Sequence, residues 1–218
     1  MIQHRLLTWL TALVLPFLLL MTSIRILLTP LYLHLEYRRP GFPADPYGFT
    51  LQDRLQWASI SLEYLLNDSD LSFLSEKTLP DGSPLYNPRE LSHMLDVKLV
   101  VKGMLTAWYV LLPLFVILGV WAWKGNGWDA FLQGVRHGGW LTAALILLIL
   151  ISVLVSFNML FTGFHRIFFE GDSWIFQYSD TLIRLFPLQF WQDAFTLAGL
   201  LSLLGALLLI FLARQSKS

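Results

Sequence analysis

The stretch "GGWLTAALILLILISVLVSFNMLF", residues 138–161, contains no Asp, Glu, Lys or Arg. The hydrocarbon core of a bilayer is crossed by about 20 apolar residues rising 1.5 Å each. This run is therefore long enough to span a membrane as one helix. Three more runs of the same kind flank it, giving spans expected over 6–33, 99–123, 138–162 and 191–213. Hydrophobic residues make up 56% of the chain, well above a soluble domain. The chain reads as an all-α, polytopic membrane protein. The first apolar run is too long for a secretory leader, and no small-x-small cleavage site follows it.

Basic residues beside the spans set the expected orientation. Arg5, the connection 124–137 with Lys124 and Arg136, and the tail with Arg214 and Lys217 are basic, and Asp129 is their single acid. The segments 34–98 and 163–190 carry both signs. Short basic connections stay in the cytoplasm, so both termini and 124–137 are expected inside and the two mixed segments outside. The formal net charge is +0, which gives nucleic acid no electrostatic footprint. No cysteine is present to form a disulfide or act as a thiol nucleophile.

Segment 34–98 reads as a small helical extracellular cap. Pro40, Pro43 and Pro46 predict an extended, turning path. Thr50 then suits an N-cap, with Asp53 three residues on as in a capping box, and Leu51, Leu55, Leu62 and Leu66 recur at helical spacing. Pro80-Asp81-Gly82 predicts a turn. Asn87, Pro88 and Glu90 predict a second helix start, running straight into the second span.

The polar groups within this frame carry the chemistry. Arg25 lies near the outer end of the first span, where it either snorkels to the interface or meets a lipid phosphate or ester. His93 precedes the second span, with Glu90 and Asp96 each three residues away, and His165 follows the third. If the cap folds back, the two imidazoles can meet at the outer interface. Segment 163–190 adds Arg166, Asp172, Asp180 and Arg184, which are able to pair among themselves. Its aromatic residues, Trp174 among them, suit either an interfacial belt or the walls of a lipid site.

Several chemistries lack their signatures. There is no G-x-S-x-G elbow, no phosphate-cradling G-x-x-x-x-G-K-[ST] loop and no H-E-x-x-H helix face. Acid–base chemistry at the outer boundary remains, with no cofactor called for. A metal-assisted lipid hydrolase and a non-catalytic accessory protein stay open as alternatives.

Four segments, "EYRRPGFPADPYGFT" (36–50), "SHMLDVK" (92–98), "GFHRIFFEGDSW" (163–174) and "DTLIRLFPLQFW" (180–191), resemble the bacterial integral membrane family of the lipoprotein intramolecular transacylase. The resemblance implies four transmembrane helices with an extracellular cap and a site between cap and membrane. It also implies two catalytic histidines, which fall on His93 and His165. The implied activity moves the sn-2 acyl chain of a diacylglyceryl-cysteine lipoprotein to that cysteine's α-amino group, leaving a lyso-form lipoprotein. The partners are then the lipoprotein and membrane lipids. On this reading His165 is expected as base and His93, steadied by Asp96, as acid or electrostatic partner. Arg166 or Arg184 would polarise the carbonyl, with Asp172, Trp174, Asp180 and Arg25 in support.

Overall fold

In the computed structural model, which describes residues 2–215, every regular element is helical apart from an isolated bridge between Thr78 and Pro84. The order is α1 (Ile2–Leu27), α2 (Pro30–Arg38), α3 (Leu51–Leu66), α4 (Ser72–Ser75), α5 (Pro88–Lys124), α6 (Trp128–Phe168), α7 (Thr181–Leu185) and α8 (Leu188–Gln215). Four of these, α1, α5, α6 and α8, are long and apolar enough to cross a membrane. Much of their apolar surface faces outward, with Leu148, Leu154 and Val155 all more than half exposed. In water that would be a liability, whereas against lipid tails it is the expected solvated face. Lys217 lies outside the described residues.

Three boundaries differ from the expected spans. The first helix stops at Leu27, because Pro30 has no N–H to extend it and instead occupies the first turn of α2. The connection 124–137 shrinks to the tight turn at 125–127, and α6 already starts at Trp128. At its other end α6 runs on to Phe168, so His165 sits on a helix rather than in a loop. Ser156 has non-helical dihedrals (φ −160°, ψ 87°), which makes α6 two helical segments meeting at a kink.

The chain divides into two compact units. The first gathers the described residues up to Arg25, Met104–Val155 and those from Phe195 onward. Its core holds Leu7, Leu15, Ala122, Phe131, Leu132 and Ala213. Close helix contact depends on glycine here. A Cβ on Gly134 would lie 2.6 Å from Thr11 Cβ, and one on Gly138 would lie 2.9 Å from the Ala12 carbonyl oxygen. Thr8 Oγ1 donates to the Ala130 carbonyl at 2.9 Å, and Ser202 Oγ donates to Ser23 Oγ at 2.9 Å. Small residues and hydroxyl bonds of this kind hold helices together where lipid offers no hydrophobic drive.

The second unit comprises Ile26–Gly103 and Ser156–Ala194. The capping box at Thr50 and Asp53 closes the start of α3 as its sequence predicts. The buried face of α3 is different from the leucine stripe, however: Arg54, Trp57, Ala58, Ser61, Leu62 and Tyr64 go inward, while Leu51 and Leu66 are exposed. Two clusters account for this. Trp57 and Tyr64 pack with Leu74, Leu85, Tyr86, Met94, Leu182 and Leu185 on one side of α3. Ala58 and Leu62 pack with Tyr32, Leu33, Tyr37 and Phe190 on the other. The turn after Pro80 forms with Gly82 at φ +86°, a conformation that favours glycine. α5 then continues unbroken from Pro88 through the second span, as expected.

Candidate active site

The site lies within the second unit and is built on the N-terminal part of α5 and the last turn of α6. Asn87 begins α5 as a reciprocal cap: its Oδ1 accepts from the Glu90 N–H at 3.0 Å, and Glu90 Oε2 accepts from the Asn87 N–H at 2.8 Å. The other oxygen of Glu90 accepts from the Leu182 N–H at 2.7 Å, fastening the start of α7 to α5. Glu90 is 2% exposed. Burial pushes its carboxyl above the usual range, and the N–H groups of Leu182 and Asn87 oppose that rise. Asn87 Nδ2 also donates to Asp180 Oδ1 at 3.2 Å. One turn beyond Glu90 comes His93, which inherits this fixed position.

The imidazoles of His93 and His165 stack with centroids 6.0 Å apart and planes 22° from parallel. Both are buried, and both precede or follow the apolar parts of their helices. Aromatic rings surround them. Phe169 is 4.9 Å and Phe176 5.4 Å from His93, while Phe161 is 4.1 Å and Trp174 4.9 Å from His165. Trp174 Nε1 donates to the Gly171 carbonyl at 3.1 Å, which folds the segment back at Gly171, itself at φ +61°.

The two histidines differ in their hydrogen bonds. His165 Nδ1 lies 2.8 Å from the Phe161 carbonyl oxygen. A carbonyl only accepts, so Nδ1 carries the proton and, in the neutral ring, Nε2 keeps its lone pair. His93 Nδ1 is buried with no hydrogen-bond partner among the described residues. Burial, reinforced by the neighbouring His165, pulls the His93 pKa down to about 4. Burial also lowers His165, against the opposing pull of its bond to Phe161. Both rings are therefore neutral at pH 7, and His165 keeps its lone pair on Nε2.

The remaining expected residues scatter. Asp96 is half-buried on α5, and no hydrogen bond joins it to His93. Arg166 and Asp172 are exposed. Asp180 accepts from the Gln177 N–H at 2.8 Å as well as from Asn87. Arg184 does not pair with the carboxylates of its own segment. It donates from Nε and Nη2 to Asp45 Oδ2, at 3.1 and 3.0 Å, and its guanidinium lies 3.5 Å over the Phe49 ring. Burial works against the Asp45 charge, yet Arg184 and the Phe49 N–H outweigh it and hold that carboxyl below its usual range. Arg184 thus clamps the proline-rich path 39–50. Arg25 closes α1 within the first unit and donates from Nε to Tyr109 Oη at 3.5 Å. Among the described residues no third imidazole or carboxylate joins the histidine pair in a metal-binding group.

Sequence reasoning missed the Arg184–Asp45 clamp, because the partners are far apart in the chain. It also missed the buried ends of the Arg39, Glu36 and Asp193 group, where Arg39 bonds both carboxylates. Phe161 was hidden in plain view as one more apolar residue of a span.

Four helices long and apolar enough to cross a membrane mark a polytopic membrane protein, with a buried imidazole pair walled by aromatic rings. The chain belongs to the lipoprotein intramolecular transacylase Lit family, which it matches over residues 9–191. It is an acyltransferase of lipoprotein modification, integral to the membrane. An uncharacterized protein of Aquifex aeolicus (strain VF5) is 30% identical over 209 residues, covering 96% of this chain and 94% of that protein. The fold is similar to that of the membrane integral lipoprotein intramolecular transacylase Lit from Bacillus cereus, with a TM-score of 0.81 at 21% identity over 98% of this chain and 95% of that one. A histidine-to-alanine variant of the Bacillus cereus protein matches with a TM-score of 0.72 at 20% identity, over 98% and 93% of the two chains.

Proposed function

We propose that this chain moves the sn-2 acyl chain of a diacylglyceryl-cysteine lipoprotein to the lipoprotein's own α-amino group, at the outer leaflet. Segment 34–98 forms the extracellular cap, and segment 163–190 is the extracellular active-site loop. The observation that carries the assignment of roles is the bond from His165 Nδ1 to the Phe161 carbonyl, which leaves Nε2 as the base.

Donor ester and acceptor amine belong to one substrate. Attack closes a medium ring through nitrogen, Cα, Cβ, sulfur, two glyceryl carbons, the ester oxygen and the carbonyl carbon. Such rings close poorly in solution, so confining the substrate against Phe169, Trp174 and Phe176 is a large part of the catalysis. The amine, with a pKa near ~8, attacks in its neutral form. The C–N bond forms, and His165 Nε2 takes the proton that the nitrogen sheds. The glyceryl C–O bond then breaks, and the same imidazolium returns that proton to the leaving oxygen. Protons balance with no external donor. His93, held neutral by burial, has no imidazolium proton to give, so it serves as an N–H donor to the developing oxyanion.

The test uses a diacylglyceryl-cysteine peptide with isotope-labelled acyl chains, mixed with unlabelled phospholipid. Only labelled amide should form, with the total number of acyl chains unchanged, and an α-N-acetylated peptide should be inert. Unlabelled acyl groups on nitrogen would show an intermolecular transferase instead. Release of a chain to water without amide would show a hydrolase.

A further inference from the structure

Within the first unit, a cavity of about 510 Å³ opens where α1 and α6 begin, lined by His4, Arg5, Trp9, Asp129, Gln133 and His137 among others. Neither Arg5 nor Asp129 forms an ion pair or hydrogen bond among the described residues, although both line the same space. None of its lining residues belongs to the histidine site, and the transacylase chemistry makes no use of it.

Its floor is rigid. Thr8 Oγ1 donates to the Ala130 carbonyl at 2.9 Å, and Gly134 leaves no room for a Cβ against Thr11. Its wall is aromatic: the Trp9 indole stands 6.3 Å from the His137 ring, and Trp9 is 60% exposed. Arg5 immediately precedes the first apolar run and His137 the third. The cavity therefore sits at headgroup depth, where an exposed tryptophan is also at home. Its volume falls within the ~300–1,000 Å³ usual for small-molecule sites.

The charges select the occupant. A purely anionic headgroup would satisfy Arg5 and the helix N-termini but would press against Asp129. A headgroup of both signs, a few bonds apart, satisfies both residues at once. A primary ammonium also brings N–H donors for the carboxylate, which a trimethylammonium lacks. We propose that this cavity binds a phosphoethanolamine headgroup, with the phosphate on Arg5 and the ammonium on Asp129. The lipid form is the occupant, because Trp9 stands exposed beside the two charges on a helix long and apolar enough to cross the membrane.

Native mass spectrometry of the delipidated full-length chain in detergent tests this. Phosphatidylethanolamine, phosphatidylglycerol and phosphatidylcholine are offered separately, together with soluble O-phosphoethanolamine. One phosphatidylethanolamine should be retained about tenfold more tightly than either other lipid, the worth of one charge-assisted contact. Asp129→Asn should bring it down to the phosphatidylglycerol level, and Arg5→Gln should weaken all three. Transacylation in detergent and the thermal midpoint should stay at wild-type values in both variants. Equal retention of phosphatidylglycerol by the wild-type chain overturns the proposal without any variant. So does wild-type retention in both substituted chains. Displacement of the lipid by O-phosphoethanolamine at equal concentration would show a soluble ligand and sink the lipid assignment.

Discussion

His165 has one nitrogen tied to a backbone carbonyl and the other without a hydrogen bond among the described residues, and burial keeps the ring neutral. The sign of the pH effect follows. A histidine with a lowered pKa stays unprotonated as the pH falls through ~6.5, where an ordinary imidazole would lose its lone pair. The acid limb of kcat/KM should then belong to the substrate amine, with an inflection near ~8 and no break near ~6.5. Lowering the basicity of the peptide's terminal amine should move that inflection with it. An inflection near ~6.5 that ignores the amine would mean an ordinary, exposed base. His165→Asn and His93→Asn should each cut turnover by ~100-fold or more at every pH, with thermal midpoints unchanged. At this scale the sequence identified the histidines and allowed them to meet, without fixing the geometry of the meeting. His93 and His165 stood out as interfacial imidazoles, but the aromatic walls around them come from residues that read in sequence just as well as one more apolar belt.

The helices were legible wherever composition alone decides them. Long apolar runs gave α5 and α8, and Thr50 with Asp53 gave the start of α3. What hid was anything set by tertiary neighbours. The buried face of α3 takes in Trp57, Ala58 and Tyr64 beside Leu62 and leaves Leu51 and Leu66 exposed, since it packs against two clusters and not one. The kink at Ser156 has no proline to announce it. The contact of α1 with α6 hid as well, because it is made by what Gly134 and Gly138 lack. Gly134→Ala should therefore lower the thermal midpoint, its new Cβ meeting Thr11 and the Thr8 carbonyl inside contact distance, at a cost of about 1–3 kcal/mol for overpacking. Gly103→Ala on α5 is the matched control, with nothing within 4 Å of its new Cβ. It should be neutral or slightly stabilising, as alanine is the better helix former. Equal losses in both variants would mean that glycine flexibility, and not close approach, is what Gly134 supplies.

For the whole molecule, the reading turns on which face of the membrane holds the histidine pair. In the proposed reaction the lipoprotein offers its N-terminal cysteine at the outer leaflet, so the proposal requires the site to open there. The charge pattern agrees. Arg5, Lys124 and Arg136 lie beside the spans on one side, and the turn at 125–127 leaves no room for a translocated domain. The histidines lie at the opposite ends of α5 and α6 from that turn, each on a continuous run of helix broken only by the Ser156 kink. A reporter fused behind Lys217 should therefore be active in the cytoplasm. One inserted at the turn around Gly82, where the chain is exposed and no Cβ would meet a neighbour, should be active outside. Replacing Lys124 and Arg136 by neutral residues should weaken this orientation without touching the site. Reporters reading the other way round in the wild-type chain would place His93 and His165 on the cytoplasmic side. A translocated lipoprotein would then never meet them, and the proposed reaction would lose its substrate.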